Sequence, residues 1–338
     1  MKPSLSKASL IAAACAVLIS MPAAAQNSVT TYGEIRLTMN QIKTGSAAKV
    51  TELRDNASRL GFRGVEDLGN GTQALFGLEF GLSADSGVLN DPMFRNSYVG
   101  LRGNWGTVAL GRLDSANPTG SPLYSQIIKL TSFAPNDAGA TATSASMFNS
   151  RNRTSNSIGY ASPNFGGASL RARTYLRGAG TAAEAENAAK SVDLGLNYEN
   201  GALSAGLGWG RDTRGGGLKV NEFDDKWQAG LNYKFNPFDV YLVGGVDRFK
   251  NTSTTRRDVK YSVVGASYTD GPHKVVLNVM KREVQSSLGG VRDRQQISYQ
   301  HFLSKRTQLQ FFIDNDGIDS SKSNVRVQAI GMGIRHNF

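Results

Sequence analysis

Arginines set opposite apolar side chains are the groups in this chain whose type and spacing could do chemistry. In an extended segment Arg59 and Arg63 fall on one face while Leu60 and Phe62 fall on the other. The same alternation sets Arg95 against Tyr98, Arg153 against Ile158 and Tyr160, and Arg171 and Arg173 against Leu170, Ala172 and Leu176. Guanidiniums collected on one face make a positive field that attracts anions; they do not by themselves make a reaction centre. Hydrolysis would need an activated nucleophile and usually a histidine base. The histidines are His273, His301 and His336, and no G-x-S-x-G, H-E-x-x-H, C-x-x-C or P-loop pattern occurs. His301 shares a face with Ile297, Tyr299 and Leu303, which reads as an interface histidine rather than a base. No cofactor, metal or nucleotide is expected.

Charge agrees with an electrostatic role. The chain has 38 Lys+Arg against 27 Asp+Glu. The basic residues are scattered singly, unlike the runs or helical stripes that grip nucleic acid. Their direction within the fold therefore decides what they do.

The elements that would point them begin with a leader. Lys2 and Lys7, the apolar run Leu10 to Met21, and Pro22-Ala23-Ala24-Ala25 before Gln26 predict an export signal over residues 1–25. The only cysteine, Cys15, leaves with it, so residues 26–338 are expected to fold without disulfides or thiolate sites. Beyond the leader no stretch nears twenty apolar residues, and the mean hydropathy is −0.31. A membrane β-barrel has this profile because only alternate residues meet lipid.

From Val29 to Phe338 the chain has a strand-and-turn rhythm of roughly sixteen segments of about ten residues. Val192, Leu194, Leu196 and Tyr198 alternate with Asp193, Gly195 and Asn197; Trp227, Ala229, Leu231, Tyr233 and Phe235 alternate with Gln228, Gly230, Asn232 and Lys234. Phe312 breaks the pattern by standing on the polar side of Leu309, Phe311 and Ile313. Short Gly, Pro or Asn turns, such as 66–71, 103–106 and 270–272, are interleaved with longer polar links, such as 41–55, 84–92 and 315–323. The longest link, residues 113–152, carries Leu123, Ile127, Ile128, Leu130 and Phe133, too apolar for a free tail, and is expected to fold into the lumen. At the end, Ile330, Met332, Ile334, His336 and Phe338 share one face, and a strand ending there needs the first strand, Val29 to Met39, as its partner. The fold class expected is all-β: a 16-stranded antiparallel transmembrane β-barrel.

The blocks SRLGFRGVEDLGNGT (58–72), RNSYVGLRGNWGTVALGR (95–112), YASPNFGG (160–167) and terminal GIRHNF resemble the general trimeric porins of Gram-negative bacteria, and most closely the anion-preferring porins of β-proteobacteria. The resemblance spans nearly the whole mature chain. It implies an outer-membrane homotrimer set among lipid and lipopolysaccharide, passing small anions and hydrophilic solutes by passive diffusion, with a third loop narrowing each pore. It further implies that Arg59, Arg95 and Arg153 line one wall of the constriction, with Arg63, Arg171 and Arg173 as further lumen-facing bases and Phe338 as an assembly signal. Cation-preferring members oppose such arginines with a Pro-Glu-Phe-Gly loop. Here that motif is absent, and Asp114 and Asp137 are the acids between Leu113 and Asn152. Asp137 is expected to orient the cluster, and a thin acidic wall favours anions. The competing readings are a substrate-specific channel or adhesin and, more distantly, an outer-membrane hydrolase.

Overall fold

A computed structural model of the chain describes residues 28–114, 117–123, 153–176, 190–214, 217–283, 290–320 and 323–338. The expected signal, most of the 113–152 link and Asp137 lie outside the described residues.

One antiparallel sheet closes on itself. Its strands are β1 (Ser28–Thr44), β2 (Val50–Asp55), β3 (Arg59–Gly69), β4 (Thr72–Ser83), β5 (Val88–Gly103), β6 (Gly106–Asp114), β7 (Arg153–Ala161), β8 (Ala168–Tyr175) and β9 (Lys190–Asn200). They continue as β10 (Leu203–Thr213), β11 (Phe223–Phe235), β12 (Phe238–Lys250), β13 (Arg256–Asp270), β14 (His273–Glu283), β15 (Val291–Phe302), β16 (Thr307–Ser320) and β17 (Ser323–Asn337). Both β2 and β3 pair with β1, β2 over Leu37–Ile42 and β3 over Ser28–Glu34, so together they make one barrel strand broken at residues 56–58. Seventeen segments therefore build sixteen staves. Within the break, Asp55 Oδ2 accepts from the Ala57 and Ser58 amides, and Ala57 has φ of +68°.

Closure joins β1 to β17 from Glu34↔Asn337 to Thr44↔Val327. The overlap is shifted from the expected 29–39, because β1 runs on to Thr44 and its first residues pair only with β3. Phe338 adds the last rung: Gly33 N–H donates to its carbonyl and its N–H donates to the Gly33 carbonyl, both at 3.1 Å. The Phe338 ring lies across Gly33, where a Cβ would come 2.2 Å from ring carbon Cζ. Glycine at 33 therefore seats the terminal aromatic ring.

Alternation decides which atoms face which solvent. Leu194, Leu196, Leu231, Leu242, Val264, Leu277, Ile297, Ile313, Ile330 and Met332 stand exposed on the outside as the band for hydrocarbon. Tyr233, Phe235, Phe238 and Tyr268 continue it toward the short turns as a girdle with successive ring centroids 6.2, 5.5 and 5.3 Å apart. A shallow groove of about 870 Å³, lined by Leu231, Leu242, Val264, Leu277, Ile297 and Ile313, lies on this outer wall and is no part of the lumen. Phe312 does face inward: it is buried over Gly331 and packs on Ala329 and Ile42.

Several expected links are strand instead. Residues 41–44 and 50–55 belong to β1 and β2, 88–92 to β5, and 315–320 to β16. These stretches are mostly polar and lack the regular alternation of the apolar band, and sheet hydrogen bonding needs no lipid contact.

Candidate functional site

The inner face of β1, β3, β4, β5 and β17 carries a cluster of arginines held by two carboxylates. Glu34, 2% exposed, faces Arg59 in register and accepts from Arg59 Nη2 at 2.9 Å. Arg36 Nε lies 3.2 Å from Glu34 Oε1, and Arg335 Nη2 reaches Oε2, the oxygen that Arg59 bonds, at 2.8 Å from across the barrel closure. One β4 carboxylate, Glu79, accepts from Arg95 Nε at 2.8 Å and from the Tyr32 hydroxyl at 3.1 Å, with Arg59 Nε 3.9 Å away. Among the described residues, four guanidiniums thus stand around two carboxylates, leaving the cluster at +2. Each arginine side chain remains partly exposed, from 12% for Arg95 to 31% for Arg335.

Arg95 reaches this place by a route that alternation misses. Tyr98 pairs with Gly77, and its ring lies against that glycine, on the same face as Glu79; Tyr98 therefore faces inward, not outward as alternation with Arg95 required. Strict alternation would then send Arg95 outside. A register shift rescues it: Glu79 pairs with Asn96 and Phe80 with Phe94, leaving Arg95 as the extra residue of a β-bulge whose side chain turns to Glu79.

A second shift, between Gly111 and Leu113 opposite Thr154 and Ser157, breaks the alternation on which the direction of Arg153 was argued. Arg153 pairs with Asp114 in register and donates to it from Nε at 2.8 Å. The Asp114 amide donates to Asn96 Oδ1 at 3.3 Å, so Arg153 joins the edge of the same network two strands away. Arg59 and Arg95 therefore share one carboxylate, while Arg153 has its own.

The other predicted bases take different roles. Arg63 is exposed, with its guanidinium 5.2 Å from the Tyr32 ring centre. Arg171 pairs with Gly195 on β9 and interacts electrostatically with Glu199. Arg173 is 1% exposed and is neutralised by Asp193, donating from Nε at 2.9 Å. It is a wall brace rather than a charge offered to solute. The same Asp193 accepts from Ser121 Oγ at 2.8 Å.

That bond ties down the described root of the long link, residues 117–123. The Thr119 carbonyl lies against Gly159, where a Cβ would stand 1.9 Å from its oxygen, and Leu123 covers Gly210. The root thus rests on inward positions of β7, β9 and β10. Among the described residues, no group of three or more His, Cys, Asp or Glu could hold a metal.

The residues missed in the sequence are Glu34, Glu79, Arg36 and Arg335. For Arg335 the signal is in the sequence: it shares the polar face of the last strand with Gly331 and Gly333. The two carboxylates stand on the wall among the arginines they orient rather than on the long link.

A model of the Gram-negative porins matches residues 12–320. The chain belongs to the Gram-negative porin family. Outer membrane porin protein 32 of Delftia acidovorans is 30% identical over 98% of this chain and 100% of its own length. The major outer membrane protein P.IB of Neisseria gonorrhoeae is 29% identical over 87% of this chain and 82% of its own. Among solved structures, an anion-selective porin from Comamonas acidovorans superposes with a TM-score of 0.74 at 25% identity, over 92% of this porin and 100% of that chain. The trimer form of OmpT from Vibrio cholerae reaches 0.66 at 13% identity, a likeness of fold alone, over 92% and 99%. As a Gram-negative porin, the protein resides in the outer membrane. The arginine cluster is part of a channel wall.

Proposed function

We propose that this porin is a passive diffusion channel that prefers anions, assembles as a homotrimer and has no catalytic activity. The observation that carries the preference is the inner-wall cluster in which Arg36, Arg59, Arg95 and Arg335 outnumber Glu34 and Glu79. The carboxylates fix the arginines without cancelling them. A net positive ring in a narrow water-filled passage concentrates anions and repels cations. The resemblance of the fold to an anion-selective porin supports the same reading. Arg153 with Asp114 extends the cluster. Proteoliposome swelling tests the proposal: gluconate should enter faster than glucosamine, with arabinose entering freely. Faster entry of glucosamine than gluconate would overturn the anion preference, and failure to admit arabinose would overturn the open diffusion channel.

A further inference from the structure

The outer wall carries a pair of histidines that the channel reading does not use. His273, first residue of β14, and His301, near the end of β15, stand directly opposite one another in the antiparallel register. Both point outward with Leu277 and Ile297, at the short-turn rim and level with the aromatic girdle. Their rings have centroids 5.0 Å apart at 36°, and their Nδ1 atoms are 3.4 Å apart. The Tyr299 hydroxyl lies 2.7 Å from His273 Nδ1, and its ring stacks on that imidazole at 18°. Asp270 pairs with His273 across the 271–272 turn and shares its face.

We infer that His273 and His301 form a two-histidine chelate for a divalent transition cation of the zinc, copper or nickel class. Two imidazole nitrogens bound tetrahedrally at about 2.0–2.1 Å must lie about 3.3–3.4 Å apart. The pair is already at that spacing, so binding requires little movement of either ring. Adjacent strands fix both Cα positions, which reduces the ordering cost a chelate on a flexible loop would bear. His273 is exposed and His301 partly so, leaving a path for the ion. Imidazole donors favour transition metals over calcium or magnesium, which prefer oxygen shells. The remaining coordination positions face water at the rim, and the Tyr299 hydroxyl, 2.7 Å from His273 Nδ1, gives up that nitrogen when the ion binds while its ring stays stacked on the imidazole.

Titration calorimetry of the purified, tag-free protein in detergent with zinc chloride tests this. The expected result is one zinc per chain, bound with an affinity that falls at least tenfold in His273→Gln and again in His301→Gln. His336→Gln, whose ring is bonded to Thr307 on another part of the rim, should bind as wild type. Channel conductance of each variant, expected to be unchanged, checks that the barrel is folded. Absence of zinc binding to the wild-type protein, or undiminished binding by both His273→Gln and His301→Gln, would overturn the inference.

Discussion

Arg95→Gln and Glu79→Gln should move ion selectivity in opposite directions, because the two residues are partners in one cluster of net +2. The first leaves the cluster at +1, with Glu79 still bonded to Tyr32 and 3.9 Å from Arg59. The second raises it to +3. A unit charge about 8 Å from an ion in water contributes about 0.5 kcal/mol, cut to about half that by 0.1 M salt. Anions and cations feel it with opposite sign, so their ratio shifts by about 0.5–1 kcal/mol, or about two- to fivefold. The assay is the chloride-to-potassium permeability ratio of each variant in a planar bilayer. Arg95→Gln should lower the ratio and Glu79→Gln should raise it by a comparable factor. Movement of both in the same direction, or of neither, would refute the assignment of selectivity to this cluster.

Three further outcomes follow from the packing. Deleting Phe338, or replacing Gly33 with Val, removes or blocks the last rung of the closure and should reduce heat-modifiable assembled protein in the outer membrane; normal assembly of both variants would disprove the closure role. Arg173→Ala strands a fully buried Asp193 carboxylate and should destabilise the barrel by about 3–5 kcal/mol, whereas the paired change Arg173→Met with Asp193→Leu should cost much less; equal thermal stability of the two would contradict the brace. Gly159→Val has no room beside the Thr119 carbonyl and should shift the root of the long link, changing single-channel conductance while leaving the barrel assembled; wild-type conductance would argue against that contact.

The strand faces are legible in the sequence where lipid imposes a pattern. Around Val192–Tyr198 and Trp227–Phe235 each alternate side chain meets hydrocarbon, so the faces can be read from residue type alone. Beyond the band that constraint lapses, which is why strand at 41–44, 50–55, 88–92 and 315–320 looked like loop. Bulges were hidden for another reason: an extra residue alters parity without leaving a compositional mark. Tyr98 faces inward in step with the outward Val99 and Leu101, and the bulge turns Arg95 inward as well, so the expected direction of Arg95 holds although an outward Tyr98, from which it was inferred, does not. Glu34 and Glu79 reach Arg59 from β1 and β4, and Asp193 and Ser157 reach Arg173 from other strands, so neither the cluster nor that burial follows from alternation within one strand.

A net positive passage fixes the sign of the reversal potential of the wild-type protein in a planar bilayer under a potassium chloride gradient. The expected potential has the sign set by chloride. A potential of the sign set by potassium would contradict it, since the carboxylates along the pore would then outweigh the arginines that Glu34 and Glu79 hold in place.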